Sequence, residues 1–309
     1  MKKTFSIIIP VYGNEDNIPI TIPYIMERLS LFPDYNVELI LVCDGSPDKS
    51  WDKMKEYQAK YPDTIIIAKF LRNFGQRAAV NYGFSIATGD VIGVISCDLQ
   101  DPFELFADML KAWESGHNLV IGYRKERAEH NMSVFFSKSL HKFINKHINS
   151  NYPIGGFDFY VVDKIIAQNF VKSDSKNNSM QLLLLELSDK PYFIGYERKE
   201  RAVGHSGYHL KSKINQTLNI FSVYSVTVFD FFWFIIFLIF AVAIALIIIS
   251  LIKSDSFEKG LYGLLLLSSG INMALLNYIG ISQFKVLQNH NNTPRYIVTE
   301  LIDQTRKED

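Results

Sequence analysis

VIGVISCDLQDP, residues 91–102, decides how the chain is read. It begins apolar and partly β-branched, then changes at once into the polar turn Cys97-Asp98-Leu99-Gln100-Asp101-Pro102. A short apolar run bounded by turn residues fits a strand buried on both faces, the kind used by a covered parallel sheet. The same grammar repeats on either side. Strands are expected at 5–10, 37–42, 64–70, 91–96 and 119–123, with helices between them at 18–31, 50–60, 76–88 and 103–115. Gly89-Asp90 closes the third helix and Ser115-Gly116 the fourth, as glycines past a helix end do. Alternating strands and helices predict a doubly wound α/β domain. Ligands in such domains collect at the carboxyl ends of the strands.

The residues that follow each strand therefore matter most. They are Val11-Tyr12-Gly13-Asn14-Glu15, Cys43-Asp44-Gly45-Ser46-Pro47-Asp48, Leu71-Arg72-Asn73-Phe74-Gly75-Gln76-Arg77, and the Asp98 turn. Acidic residues in such turns can simply cap helices, which is the plain reading for Asp48 and Asp101. Four polar turns in succession on one rim favour a binding site. Neither a GxxxxGK[ST] phosphate loop nor a GxGxxG fingerprint is present, so ordinary ATPase and dinucleotide readings lose their usual support. With 32 basic and 32 acidic residues, no global positive field argues for nucleic acid. Cys43 and Cys97 lie far apart in apolar runs without CxxC spacing. They are expected as buried, reduced thiols rather than a disulfide or zinc site.

The rest of the chain points to a membrane. Residues 231–252 are unbroken and uncharged, enough helix to cross a hydrocarbon core of about 30 Å, and residues 261–281 are uncharged with Ser268, Ser269, Asn272 and Asn277 among them. The alternative is a pair of buried core helices, which seldom run so long without a charge. Residues 124–148 and 211–224 are basic and amphipathic, as interfacial helices are; an ordinary surface helix with a solvated lysine face is the plainer reading. The N-terminal MKKTFSIIIPVYGNED imitates a signal peptide, but its apolar run is short and holds Pro10. Basic residues flank the pair of apolar stretches, giving modest support for a cytoplasmic catalytic domain. The expected organisation is a catalytic domain at 1–210, a juxtamembrane segment at 211–230, membrane helices at 231–252 and 261–281, and a cytoplasmic tail at 282–309.

The rim motifs resemble those of the family-2 glycosyltransferases of GT-A fold, in particular polyprenyl-phosphate hexose transferases and dolichyl-phosphate mannose synthases. SIIIPVYGNEDNI (6–18), ELILVCDGSPDKS (38–50), RNFGQRAAVNYGFSIATGD (72–90) and SCDLQDPFEL (96–105) match that family's segments in order. The resemblance implies a Rossmann-like GT-A domain followed by interfacial helices and two C-terminal transmembrane helices. It implies nucleotide binding by Pro10, Val11, Tyr12, Glu15, Asp44, Arg72, Asn73, Gly75, Gln76 and Arg77, and a Mg2+ or Mn2+ ion at Asp98 and Gln100. Relatives commonly begin the metal turn with a further aspartate, where this chain has Ser96. Arg201-Ala-Val-Gly-His-Ser-Gly-Tyr208 is similar to an R-x-x-G-x-S-K-Y stretch, with Gly207 in place of lysine. Acceptor phosphate is thereby expected at Arg124, Arg201, Ser206 and Lys211. Gly155-Gly156-Phe157-Asp158-Phe159 resembles a further family segment and makes Asp158 a catalytic candidate beside Asp98; Tyr160 stands where arginine is common.

The chemistry agrees with this. A departing nucleoside diphosphate accumulates negative charge, which a hard cation on carboxylate oxygen neutralises. A lipid monophosphate is already ionised at neutral pH, so it needs cationic positioning more than a base. The expected reaction is inverting transfer of a hexose from a nucleotide sugar, such as UDP-glucose, to polyprenyl (undecaprenyl) phosphate. It would occur at the cytoplasmic face of the inner (plasma) membrane, serving cell-envelope glycans such as lipopolysaccharide, in a multi-pass homo-oligomer. Two readings compete: a membrane-bound transferase acting on a hydroxyl, and a non-catalytic nucleotide-sugar-binding scaffold, motivated by Ser96.

Overall fold

The computed structural model describes residues 2–124, 145, 150–153, 156–173, 179–197 and 295–305, together with scattered helical positions between 261 and 283. The chain forms two compact units, Met1–His209 with Pro294–Asp309, and Leu210–Thr293. No helix among the described residues is long and apolar enough to cross a membrane. The expected first span, 231–252, and the interfacial segment 211–224 lie outside the described residues, as does nearly all of 124–148.

The first unit is built on strands β1 (Lys3–Val11), β2 (Tyr35–Cys43), β3 (Ile65–Phe70), β4 (Val91–Val94), β5 (Leu119–Arg124), β6 (Phe159–Asp163), β7 (Pro191–Tyr196) and β8 (Val298–Ile302). The helices are α1 (Ile18–Arg28), α2 (Ser50–Lys60), α3 (Gln76–Ile86), α4 (Phe106–Glu114), α5 (Lys164–Ser173) and α6 (Met180–Leu187). All eight strands join one sheet in the order β7-β5-β6-β4-β1-β2-β3-β8. Strands β3, β2, β1 and β4 run parallel, as expected.

The sheet is mixed rather than uniformly parallel. β6 inserts antiparallel between β4 and β5, β7 pairs parallel with β5, and β8 pairs antiparallel with β3. Strands joined by helical crossovers are held parallel; β6 is reached instead through the long segment 125–158 and escapes that constraint. Its Phe159-Tyr160-Val161-Val162 run is wholly buried. β8 comes from the segment expected to be a tail. Its amide edge completes that of β3, which would otherwise be exposed.

Side-chain alternation divides the core between the two faces. Phe5, Ile7, Ile9, Leu39, Leu41 and Ile67 pack with Ile18, Ile22 and Ile25 of α1, Trp51 and Met54 of α2, and Phe106 and Met109 of α4. On the other face α3 lies so close that a Cβ on Gly83 would meet Ile8 Cγ2 at 2.7 Å. Phe84 of α3 meets Phe170 of α5 edge to face at 5.4 Å. Burying each such side chain contributes about 1.5–3 kcal/mol. Away from the rim, buried Glu38 accepts from Ser6 Oγ (2.5 Å), Thr88 N (2.7 Å) and Thr88 Oγ1 (2.8 Å), which offsets the cost of burying a carboxylate.

Candidate active site

The carboxyl ends of β1, β2 and β3 are laced together by backbone-directed hydrogen bonds. Asp44 N donates to Val11 O at 2.9 Å, Gly13 N to Ser46 Oγ at 3.1 Å, and Asn14 N to Ser50 Oγ at 3.0 Å. Glu15 N donates to Asp48 Oδ2 (3.1 Å), while Lys49 N donates to Glu15 Oε2 (2.8 Å). Glu15 thus joins the first turn to the start of α2. Pro10 and Val11 end β1, and Tyr12 stands half exposed beyond them.

Asp44 organises the next turn. Its Oδ1 accepts from Phe74 N at 2.7 Å and its Oδ2 from Gly75 N at 2.8 Å. Burial pushes the Asp44 pKa above its usual value, and those two amides oppose the rise. Gly45 has φ +61°, and a Cβ there would fall 2.2 Å from the Arg72 carbonyl carbon, so this close approach admits only glycine. Arg72 and Asn73 are exposed on the rim, the Arg72 guanidinium lying 4.5 Å from the Phe74 ring. Gln76 opens α3. Arg77, expected near phosphate, has its guanidinium 5.9 Å from the ring of Phe170, on the layer between α3 and α5.

The turn after β4 is tight because Leu99 is left-handed at φ 52°, an uncommon conformation for a branched side chain. It brings Gln100 N to 3.3 Å from Asp98 Oδ1. Ser96 Oγ lies 2.6 Å from Asp98 Oδ1 and 3.2 Å from Asp101 Oδ2; its one proton serves the nearer. Thr21 Oγ1 of α1 donates to Cys97 O at 2.7 Å and anchors the turn from below. Cys43 and Cys97 are free, buried thiols, as expected, with burial pushing Cys97 up to about 12.

Asp101, which the sequence suggested as a cap, belongs to the site. It is 2% exposed, and Tyr196 Oη donates to its Oδ1 at 2.5 Å. Tyr196 ends β7 beside Arg124, which ends β5. Because β6 runs antiparallel, its amino end lies on this rim and carries Asp158 there, Oδ2 3.8 Å from Arg124 Nη2. Burial disfavours the Arg124 charge, but Tyr196, Asp101 and Asp158 outweigh it and raise the pKa. Burial, then Asp101, push the Tyr196 hydroxyl pKa up, against the pull of Arg124. The phenol stays protonated and donating. Gln181 Nε2 of α6 donates to Phe157 O at 2.6 Å and supports the Asp158 turn. Tyr160, at the position where arginine is common, is fully buried with its hydroxyl 3.8 Å from Met180 Sδ. It packs in the core, with its ring edge to face against Phe157 at 5.6 Å. Arg201, Ser206 and Lys211 lie outside the described residues.

No cluster of three or more His, Cys, Asp or Glu side chains that could hold a metal forms among the described residues. The Asp98 and Gln100 donors are nonetheless oxygen, the type that Mg2+ and Mn2+ prefer. The pair suits an ion that takes the rest of its shell from phosphate and water.

Several known proteins are similar to this chain. "Uncharacterized glycosyltransferase YkcC" of Bacillus subtilis is 29% identical over 304 residues, spanning 95% of this chain and 93% of the relative. The "SfII prophage-derived bactoprenol glucosyl transferase" of Shigella flexneri is 25% identical over 304 residues, spanning 95% and 96%. Among solved structures, the mannosyltransferase PcManGT of Pyrobaculum calidifontis, in complex with GDP-Man and Mn2+, aligns over 93% of this chain and 85% of its own with a TM-score of 0.53. At 15% identity that likeness concerns the GT-A fold. The model of "Glycosyl transferase family 2" matches residues 6–172, more than half of the chain, and holds both the lacing of the first turns and the Asp98 turn. The chain is a glycosyltransferase and belongs to glycosyl transferase family 2.

Proposed function

We propose that this glycosyltransferase moves a hexose from a nucleotide sugar to the phosphate of a polyprenyl lipid, with inversion. The observation that carries the reading is the chain from Asp101, in the Asp98 turn, through the hydrogen bonds of Tyr196 to Arg124, which is ion-paired with Asp158 at 3.8 Å. It joins a diphosphate-type turn to a cation on a single rim. The similarity of this chain to bactoprenol glucosyl transferases supports the lipid acceptor.

In this reading the donor diphosphate lies over the turns of β1 to β4, with Arg72 on the exposed rim. Mg2+ or Mn2+ bound at Asp98 and Gln100 would supply positive charge against the departing diphosphate. Arg124 holds the lipid phosphate as an anion, and Asp158 fixes the guanidinium direction. A phosphate oxygen forms the new bond at the anomeric carbon on the face opposite the breaking bond to the nucleotide. No proton has to be removed, because the acceptor is ionised at neutral pH.

The membrane side belongs to the same proposal. β8 follows both apolar stretches in sequence yet pairs with β3 in the sheet. Chain on either side of the stretches therefore shares one side of any membrane they cross, which favours an even number of crossings, while the basic residues flanking the stretches give modest support for a cytoplasmic catalytic unit. UDP-glucose is the first donor to try, and a homo-oligomer the expected assembly. The test is transfer of radiolabelled sugar into lipid extract by membranes carrying the full chain. Label in lipid supports the proposal; no label with any common UDP- or GDP-sugar, while nucleotide still binds, contradicts it.

A further inference from the structure

The chain after the apolar stretches touches the nucleotide turn as well as the sheet edge. Tyr296 stacks on Phe70, the last residue of β3, with ring planes 1° apart and centroids at 5.1 Å. It meets Tyr82 of α3 edge to face at 5.3 Å, and Phe70 meets Phe74 at 5.9 Å. Leu71 N donates to Ile297 O at 2.9 Å. The β8 pairing shifts register at Lys69/Phe70, the point where the chain leaves β3 for the Arg72–Gly75 turn. Farther along β8 the contacts are of ordinary edge-strand kind: Thr299 Oγ1 donates to Lys69 O at 3.1 Å, and Lys69 Nζ lies 3.8 Å from Glu300 Oε1.

The turn is thus held from two directions. Asp44 binds the Phe74 and Gly75 amides from the β2 side, while Tyr296 and Ile297 hold Phe70 and Leu71 from the β8 side. We infer that Tyr296 is a positioning residue for the nucleotide sugar: its ring, stacked on Phe70 and against Tyr82, fixes the exit of β3 and so the aim of Arg72 and Asn73. The inference rests on the donor-site reading of this rim. Tyr296 acts through Phe70 and Leu71, so its loss loosens donor binding and leaves lipid binding alone.

The test measures KM for donor and for lipid acceptor, with kcat, on the full chain in membranes, beside equilibrium binding of UDP and GDP. Tyr296→Ala should raise the donor KM about tenfold, the scale of two lost aromatic contacts, with the lipid KM unchanged. Tyr296→Phe should restore the donor KM. Ile302→Ala, which loosens β8 at its pairing with Ile67, farther from the turn, should lower the melting temperature and leave the donor KM alone. If Tyr296→Ala does not fold, Tyr296→Leu keeps the bulk without the stack and is read in its place. An unchanged donor KM in the folded variant, or an equal rise in Ile302→Ala, overturns the inference. A wild-type chain that binds neither nucleotide sinks the donor-site reading itself; binding that is intact in wild type and insensitive to Tyr296 sinks only the inference.

Discussion

The two halves of the rim are built in different ways. On the β1–β3 side, turns are fixed by backbone amides meeting side-chain oxygens a few dozen residues away, as in Asp44 with Phe74 and Gly75. On the β4–β7 side, side chains meet side chains across nearly a hundred residues, as in Asp101 with Tyr196. The first arrangement fixes backbone shape and suits a rigid nucleotide. The second fixes charge and suits a phosphate that arrives from a lipid surface. On the proposed function, the difference is that between a donor subsite specified by local turns and an acceptor subsite specified by tertiary pairing.

The contrast can be broken at several points. Asp98→Ala, where the halves meet, should have the largest effect, lowering kcat by about 10²–10³-fold, read as initial sugar transfer at saturating donor and lipid. Full activity in that variant would remove Asp98 from the proposed chemistry. Gly45→Ala strikes the donor half. A methyl 2.2 Å from the Arg72 backbone and a left-handed φ together should cost about 3 kcal/mol. Chemical denaturation should show the loss, and nucleotide affinity should fall with it.

Tyr196→Phe strikes the acceptor half. Asp101 loses a buried donor, a change of about 1–3 kcal/mol, and Arg124 loses a partner. The lipid KM should rise several-fold while the donor KM holds; a rise in donor KM alone would contradict the division. The smallest effect is the pH dependence of donor binding. Asp44 has a folded pKa above its ordinary value of 3.8, so it takes up a proton at a higher pH than an exposed aspartate. The protonated carboxyl is a poorer acceptor for the Phe74 and Gly75 amides. Donor affinity should therefore fall on acidification, beginning above the ordinary aspartate range. The effect on stability has the opposite sign. A raised folded pKa contributes stability that is present below the unfolded pKa and lost as pH rises through the folded one. Asp44→Asn should bind donor weakly with a flat profile, checked by nucleotide titrations across the acid range.

The same contrast explains what the sequence could reveal. The strands at β1 to β5 and the helices α1 to α4 follow from apolar runs and glycine ends, and Ser50–Lys60 was expected at its observed bounds. The turns after β1 to β4 are local in the chain, so their residues could be named. β6 could not be placed, since its partners and direction depend on a long intervening segment. Asp101 followed a strand and preceded Pro102, so it read as a cap; only Tyr196, 95 residues away, distinguishes it. β8 looked like a tail because Val298-Thr299-Glu300-Leu301-Ile302 is short and far in sequence from the other strands, and only its pairing with the edge of β3 identifies it. The surroundings of Arg77 and Tyr160 were not legible either. Helix geometry sets the Arg77 guanidinium 5.9 Å from the Phe170 ring, and strand geometry buries Tyr160 in the core.

The most direct measurement is mass spectrometry of the lipid extract from membranes that carry the full chain, supplied with polyprenyl phosphate, Mg2+ and each common UDP- and GDP-hexose in turn. The account predicts a polyprenyl phosphate heavier by a single hexose residue, absent in Asp98→Ala. Sugar appearing only in a soluble or hydroxyl-linked glycan, or no lipid-linked sugar from any donor while nucleotide binds, would contradict it.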